Sequence, residues 1–275
     1  MRRLPAPIRI AISPCPNDTY IWAGIALGAI RLPGPVEITY HDIDDLNRLA
    51  RSGEAELVKV SFFQYALLPR GHYRLLPVGA ALGYGVGPLL IAREPLSMEE
   101  LTHARIGIPG WETTAHSLLH FYLPEARHRL VYRYDRLIPL LLDGAIDAAV
   151  IIHELRFTYT AYGLVALADL GACWTEKTGL PIPLGGLILR RELTAWRPLI
   201  SIALRKSLRW ARTHPTEVLA FVARYADAMD PTAQKAHINL YVNSFSHRLG
   251  KVGHKAISAY LQLARTLQPS PALPS

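Results

Sequence analysis

His153 follows the apolar run Ala145-Ile146-Asp147-Ala148-Ala149-Val150-Ile151-Ile152, which itself follows a turn signal at Asp143-Gly144. An imidazole titrates near neutrality and can serve as base, acid or metal ligand. Three other groups have chemistry to offer. In Leu57-Val58-Lys59-Val60-Ser61, the two-residue period of a strand puts Lys59 and Ser61 on one side. A lysine among apolar neighbours is costly unless it is paired or faces a polar cleft. Asn17, Asp18 and Thr19 precede one apolar helical stretch, and Thr113 and Thr114 precede another. Hydroxyl and amide side chains at a helix start, with unpaired N–H groups beside them, suit an anion. Taken singly, each signal also fits something plainer. His153 suits a hydrogen-bonded structural histidine, and the turn around Asn17 an ordinary capped βα turn.

His116 and His120 stand four apart, a spacing that can grip zinc. The glutamate of the helical zinc motif is missing beside His116 and no third ligand is evident, so no metal site is expected. Cys15 and Cys173 are the two cysteines, too few for a disulfide framework and without metal-ligand spacing. They fit a reducing compartment.

The elements that must position these groups alternate as β and α. Strands are predicted at 8–12, 36–41, 57–61, 73–78, 89–92, 105–108, 130–134, 164–169 and 187–190, besides the run that ends at His153. That run reads as a strand buried on both faces of a parallel sheet, and ligands of open α/β sheets bind beyond the carboxyl ends of such strands. Helices are predicted at 20–30, 43–51, 62–68, 98–102, 115–122, 137–142, 199–212, 215–228, 232–241 and 251–267. Asn17, Asp18 or Thr19 would cap the first, after a rigid turn at 13–19 that leaves no room for a helix. Gly83-Tyr84-Gly85-Val86-Gly87-Pro88 lacks the strand–turn–helix order of a phosphate loop and reads as a flexible turn or hinge. The alternation falls into two blocks, with a crossing near 89–94 and a return near 181–190. The predicted architecture is α/β with two lobes, a larger one from 1–93 plus 187–275 and a smaller one from 94–186, and a ligand cleft between them.

The 275 residues are 50% hydrophobic and 19% charged, a globular composition large enough for one large core or two smaller ones. The formal net charge is +8, which attracts anions of any kind. The arginines are scattered, and the densest cluster (Arg205, Lys206, Arg209, Arg212) has the spacing of a solvated helix face. No nucleic-acid motif accompanies it, so nucleic acid is not the expected partner. Arg2 and Arg3 are followed by an apolar segment too short for a signal peptide, and no window has the length of a membrane span. A cytoplasmic location without membrane insertion is expected.

In their order along the chain, 13–20 (Ser-Pro-Cys-Pro-Asn-Asp-Thr-Tyr), 59–61, 83–88, 113–115, 134–136 (Tyr-Asp-Arg), 151–154 (Ile-Ile-His-Glu), 156–159 (Arg-Phe-Thr-Tyr), 178–181 and 241–245 resemble the 1,4-dihydroxy-6-naphthoate synthases of the futalosine route to menaquinone. The resemblance spans nearly the whole chain. It implies a fold like a type II periplasmic solute-binding protein, used as an enzyme. It implies a carbon–carbon lyase that turns cyclic dehypoxanthinyl futalosine, a small-molecule carboxylate, into 1,4-dihydroxy-6-naphthoate with release of a dihydroxyacetone-like fragment. No metal or organic cofactor is implied. His153 matches the general base, and Lys59, Val60, Ser61, Thr114 and Ala115 match the substrate lining, with Asn17 and Thr113 added from the helix starts. Lys59 would face the substrate carboxylate. Glu154, next along a continuing strand, would point to the opposite face. Two departures stand out: Tyr20 where phenylalanine is commoner, and Trp111-Glu112 where basic or small residues are expected, which would alter the polarity of one pocket wall. Two other functions fit the same architecture. One is chorismate dehydratase of the same pathway, against which the Ser-Pro-Cys-Pro-Asn-Asp-Thr turn and the Ile-Ile-His-Glu strand end speak. The other is a non-catalytic small-anion receptor, which would need a secretion signal.

Overall fold

A computed structural model describes residues 7–226 and 230–267. Eleven strands are described: β1 (Ile8–Ile12), β2 (Val36–Tyr40), β3 (Leu57–Ser61), β4 (Tyr73–Leu75), β5 (Ala81–Gly83), β6 (Leu89–Ala92), β7 (Ile106–Ile108), β8 (Arg129–Val131), β9 (Ala148–Ile151), β10 (Val165–Asp169) and β11 (Ile182–Arg190). They form two sheets, in the orders β2-β1-β3-β11-β4, with β5 also on β11, and β10-β6-β9-β7-β8. Both sheets are mixed, because each holds strands from both directions of chain travel. β1 runs parallel to β2 and β3, while β11 returns antiparallel to β3. β9 is parallel to β7 on one side and antiparallel to β6 on the other. The all-parallel setting expected for the His153 strand is therefore corrected, although all four of its residues are buried as expected.

The crossings also move. β6, predicted as a crossing at the edge of the first lobe, pairs along its length with β9 in the second sheet. By Ile182, opposite Gly83 of β5, the chain is back in the first. Residues 182–186, which precede the strand predicted at 187–190, already belong to β11. Their glycines are what admit them: a Cβ on Gly185 would lie 2.9 Å from the Val60 carbonyl oxygen. The stretch predicted to be a hinge ends β5 at Gly83 and is then tied down. Arg156 donates to the carbonyls of Gly87 (2.7 Å) and Gly85 (3.3 Å) while pairing with Asp169 at 2.6 Å.

Helices cover the sheets. Pro16–Ala26 packs on Arg197–Thr213, where Ser207 Oγ accepts from the Gly24 N–H at 3.0 Å and donates to the Ile21 carbonyl at 2.7 Å. The apolar layer between this helix pair and the first sheet includes Ile10, Ile12, Trp22, Leu57, Leu187 and Leu204. Leu118, Leu119, Trp174 and Tyr260 belong to a second core that joins helices Thr114–Tyr122, Leu170–Thr178 and Gly250–Thr266. Helix Leu170–Thr178 was not predicted. Asp169 caps it, accepting from the Ala172 N–H at 2.9 Å, and Gly179 closes it at φ 66°. Gly171 in its first turn concealed it, and a Cβ there would sit 1.9 Å from the Val86 carbonyl oxygen. The helix predicted at 215–228 is Pro215–Ala223, and positions 227 and 228 lie outside the described residues.

Candidate active site

His153 sits two residues beyond β9, at φ 56°, and among the described residues no other non-glycine has a positive φ. The left-handed conformation costs an L-residue roughly 1–2 kcal/mol. Such strain persists where the surroundings impose it, often at functional sites. It also ends the strand. Glu154 takes up a right-handed helical conformation and leads into helix Leu155–Thr158, which corrects the expectation of a continuing strand. Glu154 lines a separate small recess with Pro14, Cys15, Pro16 and Tyr134.

Two contacts fix the His153 ring. Cys15 Sγ lies 3.1 Å from Nδ1, and the Tyr134 ring meets it edge-on with centroids 5.1 Å apart. Burial pushes the Cys15 thiol far up, so it stays protonated. Burial, and secondarily the Lys59 charge, pushes the His153 pKa down to about 4. The residue is only half-buried because the cleft reaches it. The imidazole is thus neutral at pH 7 and open on one side to a ligand.

That cleft encloses about 700 Å³ counted to its open mouth. Ser13, Asn17, Asp18, Lys59, Ser61, Leu184 and Gly185 line it from the first sheet and its loops, and Pro88, Thr113, Thr114, Ala115, Ile152 and His153 from the second. His237 and Tyr241 of helix Pro231–Tyr241 complete the wall. The predicted residues Asn17, Lys59, Ser61, Thr113, Thr114, Ala115 and His153 are all brought to this one place. Val60 is not: its side chain lies in the core with Ala11, Leu46 and Val58, as strand alternation between Lys59 and Ser61 requires.

Several of these groups already have partners. The Lys59 ammonium, predicted to face a substrate carboxylate, is buried and paired with Asp18. Ser61 Oγ accepts from Asn47 Nδ2 at 2.7 Å and donates to the Glu112 carbonyl at 3.0 Å. Thr113 Oγ1 caps helix Thr114–Tyr122, accepting from the His116 N–H at 3.2 Å and donating to the Gly110 carbonyl at 2.7 Å. Thr114 Oγ1 donates to the Leu184 carbonyl at 2.8 Å, tying that helix start to β11. Asn17, Asp18 and Thr19 do not cap the first helix. It begins earlier, at Pro16, with Cys15 in the capping position. A proline at the first helical position lacks only an N–H that the helix does not use, and its φ is already helical.

Neither Trp111 nor Glu112 is among the residues that line the cleft, which corrects the expected effect on its polarity. Trp111 packs edge-on against His116, and the Glu112 carboxylate pairs with Arg51. His116 Nε2 and His120 Nδ1 both face Arg129 Nη1, at 3.0 and 3.1 Å, so their four-residue spacing holds a guanidinium. Cys15, Asp18, Tyr134, His237 and Tyr241 were missed as site residues. Cys15, Asp18, Tyr134 and Tyr241 fall inside the stretches that carried the resemblance, a usable signal. His237 sits in an undistinguished helical run and had none.

Two mixed sheets with a ligand cleft between them define a solute-binding-protein-like α/β fold. The alkanesulfonate-binding protein SsuA from Xanthomonas axonopodis pv. citri, bound to MOPS, superposes with a TM-score of 0.69 at 17% identity, covering 98% of this chain and 96% of that one. The chain belongs to the menaquinone biosynthesis family, which matches residues 8–266. It is 41% identical over 252 residues to a 1,4-dihydroxy-6-naphthoate synthase of Thermus thermophilus, covering 91% of each chain. It is 40% identical over 276 residues to a synthase of the same name from Streptomyces coelicolor, covering 97% of this chain and 95% of that one. No helix among the described residues is long and apolar enough to cross a membrane.

Proposed function

We propose that this protein is a 1,4-dihydroxy-6-naphthoate synthase acting in the cytoplasm, a carbon–carbon lyase on cyclic dehypoxanthinyl futalosine with His153 as general base. The observation that carries the reading is an imidazole held by Cys15 and Tyr134 at the rim of a cleft whose other walls are helix starts and strand ends. Cleavage that leaves an aromatic ring needs a proton taken from a substrate hydroxyl. The C–O bond then becomes the carbonyl of the released fragment, and the C–C electron pair passes into the ring. A base that is neutral at pH 7 suits that step. For Nε2 to accept the proton, Nδ1 must carry its own and direct it at Cys15 Sγ. The buried Lys59–Asp18 pair is locally neutral, which favours the backbone N–H groups at the start of helix Thr114–Tyr122 as the receiver of the substrate carboxylate. Lys59 and Ser61 then serve as walls whose positions are set by their own partners. The lobe division 1–93 plus 187–275 against 94–186 belongs to the same proposal, with β6 lent to the second sheet.

Incubating the purified protein with cyclic dehypoxanthinyl futalosine and analysing for 1,4-dihydroxy-6-naphthoate tests the reading. Product formation is expected. The likeness to a solute-binding protein favours a second reading, a receptor, and binding without turnover would select it.

A further inference from the structure

A second imidazole stands in the wall of the cleft. His237 is 1% exposed, and its Nε2 lies 3.0 Å from Asn17 Oδ1. The direction of that bond can be worked out from its far end. Lys59 donates to the Asp18 carboxylate, and Asn17 Nδ2 donates to the same Asp18 oxygen at 3.1 Å. The Asn17 amide is thereby oriented with its oxygen toward His237, and an amide oxygen can only accept. Nε2 therefore carries the ring proton, and Nδ1 is left with a bare lone pair. Nδ1 is buried and has no hydrogen-bond partner. A buried acceptor without a partner is costly to keep, and this one belongs to a residue that lines the ligand cleft. The ring cannot readily escape the arrangement, since Phe157 packs at 6.1 Å and Tyr241 at 4.6 Å between centroids.

We propose that His237 is a ligand-contacting residue whose Nδ1 accepts a hydrogen bond from a hydroxyl of the bound molecule, so that the site selects substrates carrying an O–H donor at that point. The proposal rests on the synthase reading for the identity of that molecule. The chain Lys59–Asp18–Asn17–His237 fixes the tautomer from a distance, which makes Asn17 and Asp18 positioning residues rather than contacts. Burial, with smaller effects from His153 and Lys59, pushes the His237 pKa down to about 3. It stays an acceptor throughout the working range.

Two substitutions separate contact from scaffold. In His237→Asn the amide occupies the place of Nδ1 and gives up the bond to Asn17. In His237→Gln the amide reaches the place of Nε2, keeps Asn17 and gives up the acceptor. A contact role predicts that His237→Gln lowers kcat/KM and weakens binding of 1,4-dihydroxy-6-naphthoate by roughly 10–100-fold, the loss of a buried neutral hydrogen bond with its partner left bare, while His237→Asn stays nearer wild type. The reverse order overturns the proposal and leaves the reaction standing. A wild type that binds the naphthoate without turnover, with His237→Gln the weaker binder, supports the contact and overturns the reaction. A wild type that neither binds nor turns over ends both. Should either variant fail to fold, the histidine ¹⁵N spectrum of the wild type decides: a neutral ring protonated on Nε2 supports the proposal, and one protonated on Nδ1 overturns it.

Discussion

At the scale of single residues, the site is built from polar groups that satisfy one another and leave little to spare. Lys59 is the clearest case. It looks like a cation waiting for a substrate anion, yet its charge is consumed by Asp18. Two effects should follow from Lys59→Met. Leaving Asp18 buried without its partner should cost about 3–5 kcal/mol of stability, measurable by denaturant unfolding. Removing a positive charge near His153 should also raise the imidazole's pKa, because Lys59 now helps to hold it down. The acid limb of the rate profile should move toward neutrality. An unshifted limb in a folded variant would remove Lys59 from the electrostatics of the base.

At the scale of elements, the helix start at Thr113 does two jobs, capping the backbone of Thr114–Tyr122 and lining the cleft. Thr113→Ala deletes the cap and should cost about 1 kcal/mol in unfolding free energy. It should also raise KM more than it lowers kcat, since the cap holds a binding surface rather than the base. This element was legible in the sequence, because two hydroxyl residues preceding an apolar helix have few other uses. β3 was legible to the residue, and its alternation separates Lys59 and Ser61 from Val60. The helix at Pro16 was not, because proline reads as a breaker unless its place in the first turn is known. The second half of β11 was predicted, but its first half, 182–186, was hidden by Pro183, Gly185 and Gly186, which disfavour a strand by propensity; at Gly185 a Cβ would lie 2.9 Å from the Val60 carbonyl oxygen, so only glycine fits there. The Cys15–His153 contact joins positions 138 apart. No local pattern encodes such a pair, and resemblance alone pointed to both ends.

At the scale of the whole molecule, two buried histidines, His116 and His237, and the half-buried His153 contribute to the response to acid. Burial lowers His116 to about 4, His153 to about 4 and His237 to about 3. In the unfolded chain each would protonate near its ordinary value of about 6.5. Above that pH neither state binds the proton and stability is unaffected. As pH falls from about 6.5 toward 4, the unfolded state takes up protons that the folded state refuses, so stability is lost. With three such groups the slope approaches about 4 kcal/mol per pH unit, somewhat less because His153 borders the cleft. Urea unfolding at stepped pH should record this slope, and replacing His116, which lies away from the cleft, should reduce it by about a third.

The central claim is that a neutral His153 removes the proton that starts the reaction. The most direct measurement is the pH dependence of kcat/KM for wild type and His153→Asn on cyclic dehypoxanthinyl futalosine, with folding of the variant verified by circular dichroism. The wild-type rate should hold from neutral pH downward and fall as the imidazole protonates near pH 4. The variant should be slower by about 10²–10⁴-fold, the usual loss for a positioned base, and its residual rate should lack that acid limb over the pH range in which circular dichroism shows both proteins folded. A folded His153→Asn protein with near-normal turnover and the same acid limb would contradict the claim, and the strained turn at His153 would then need another explanation.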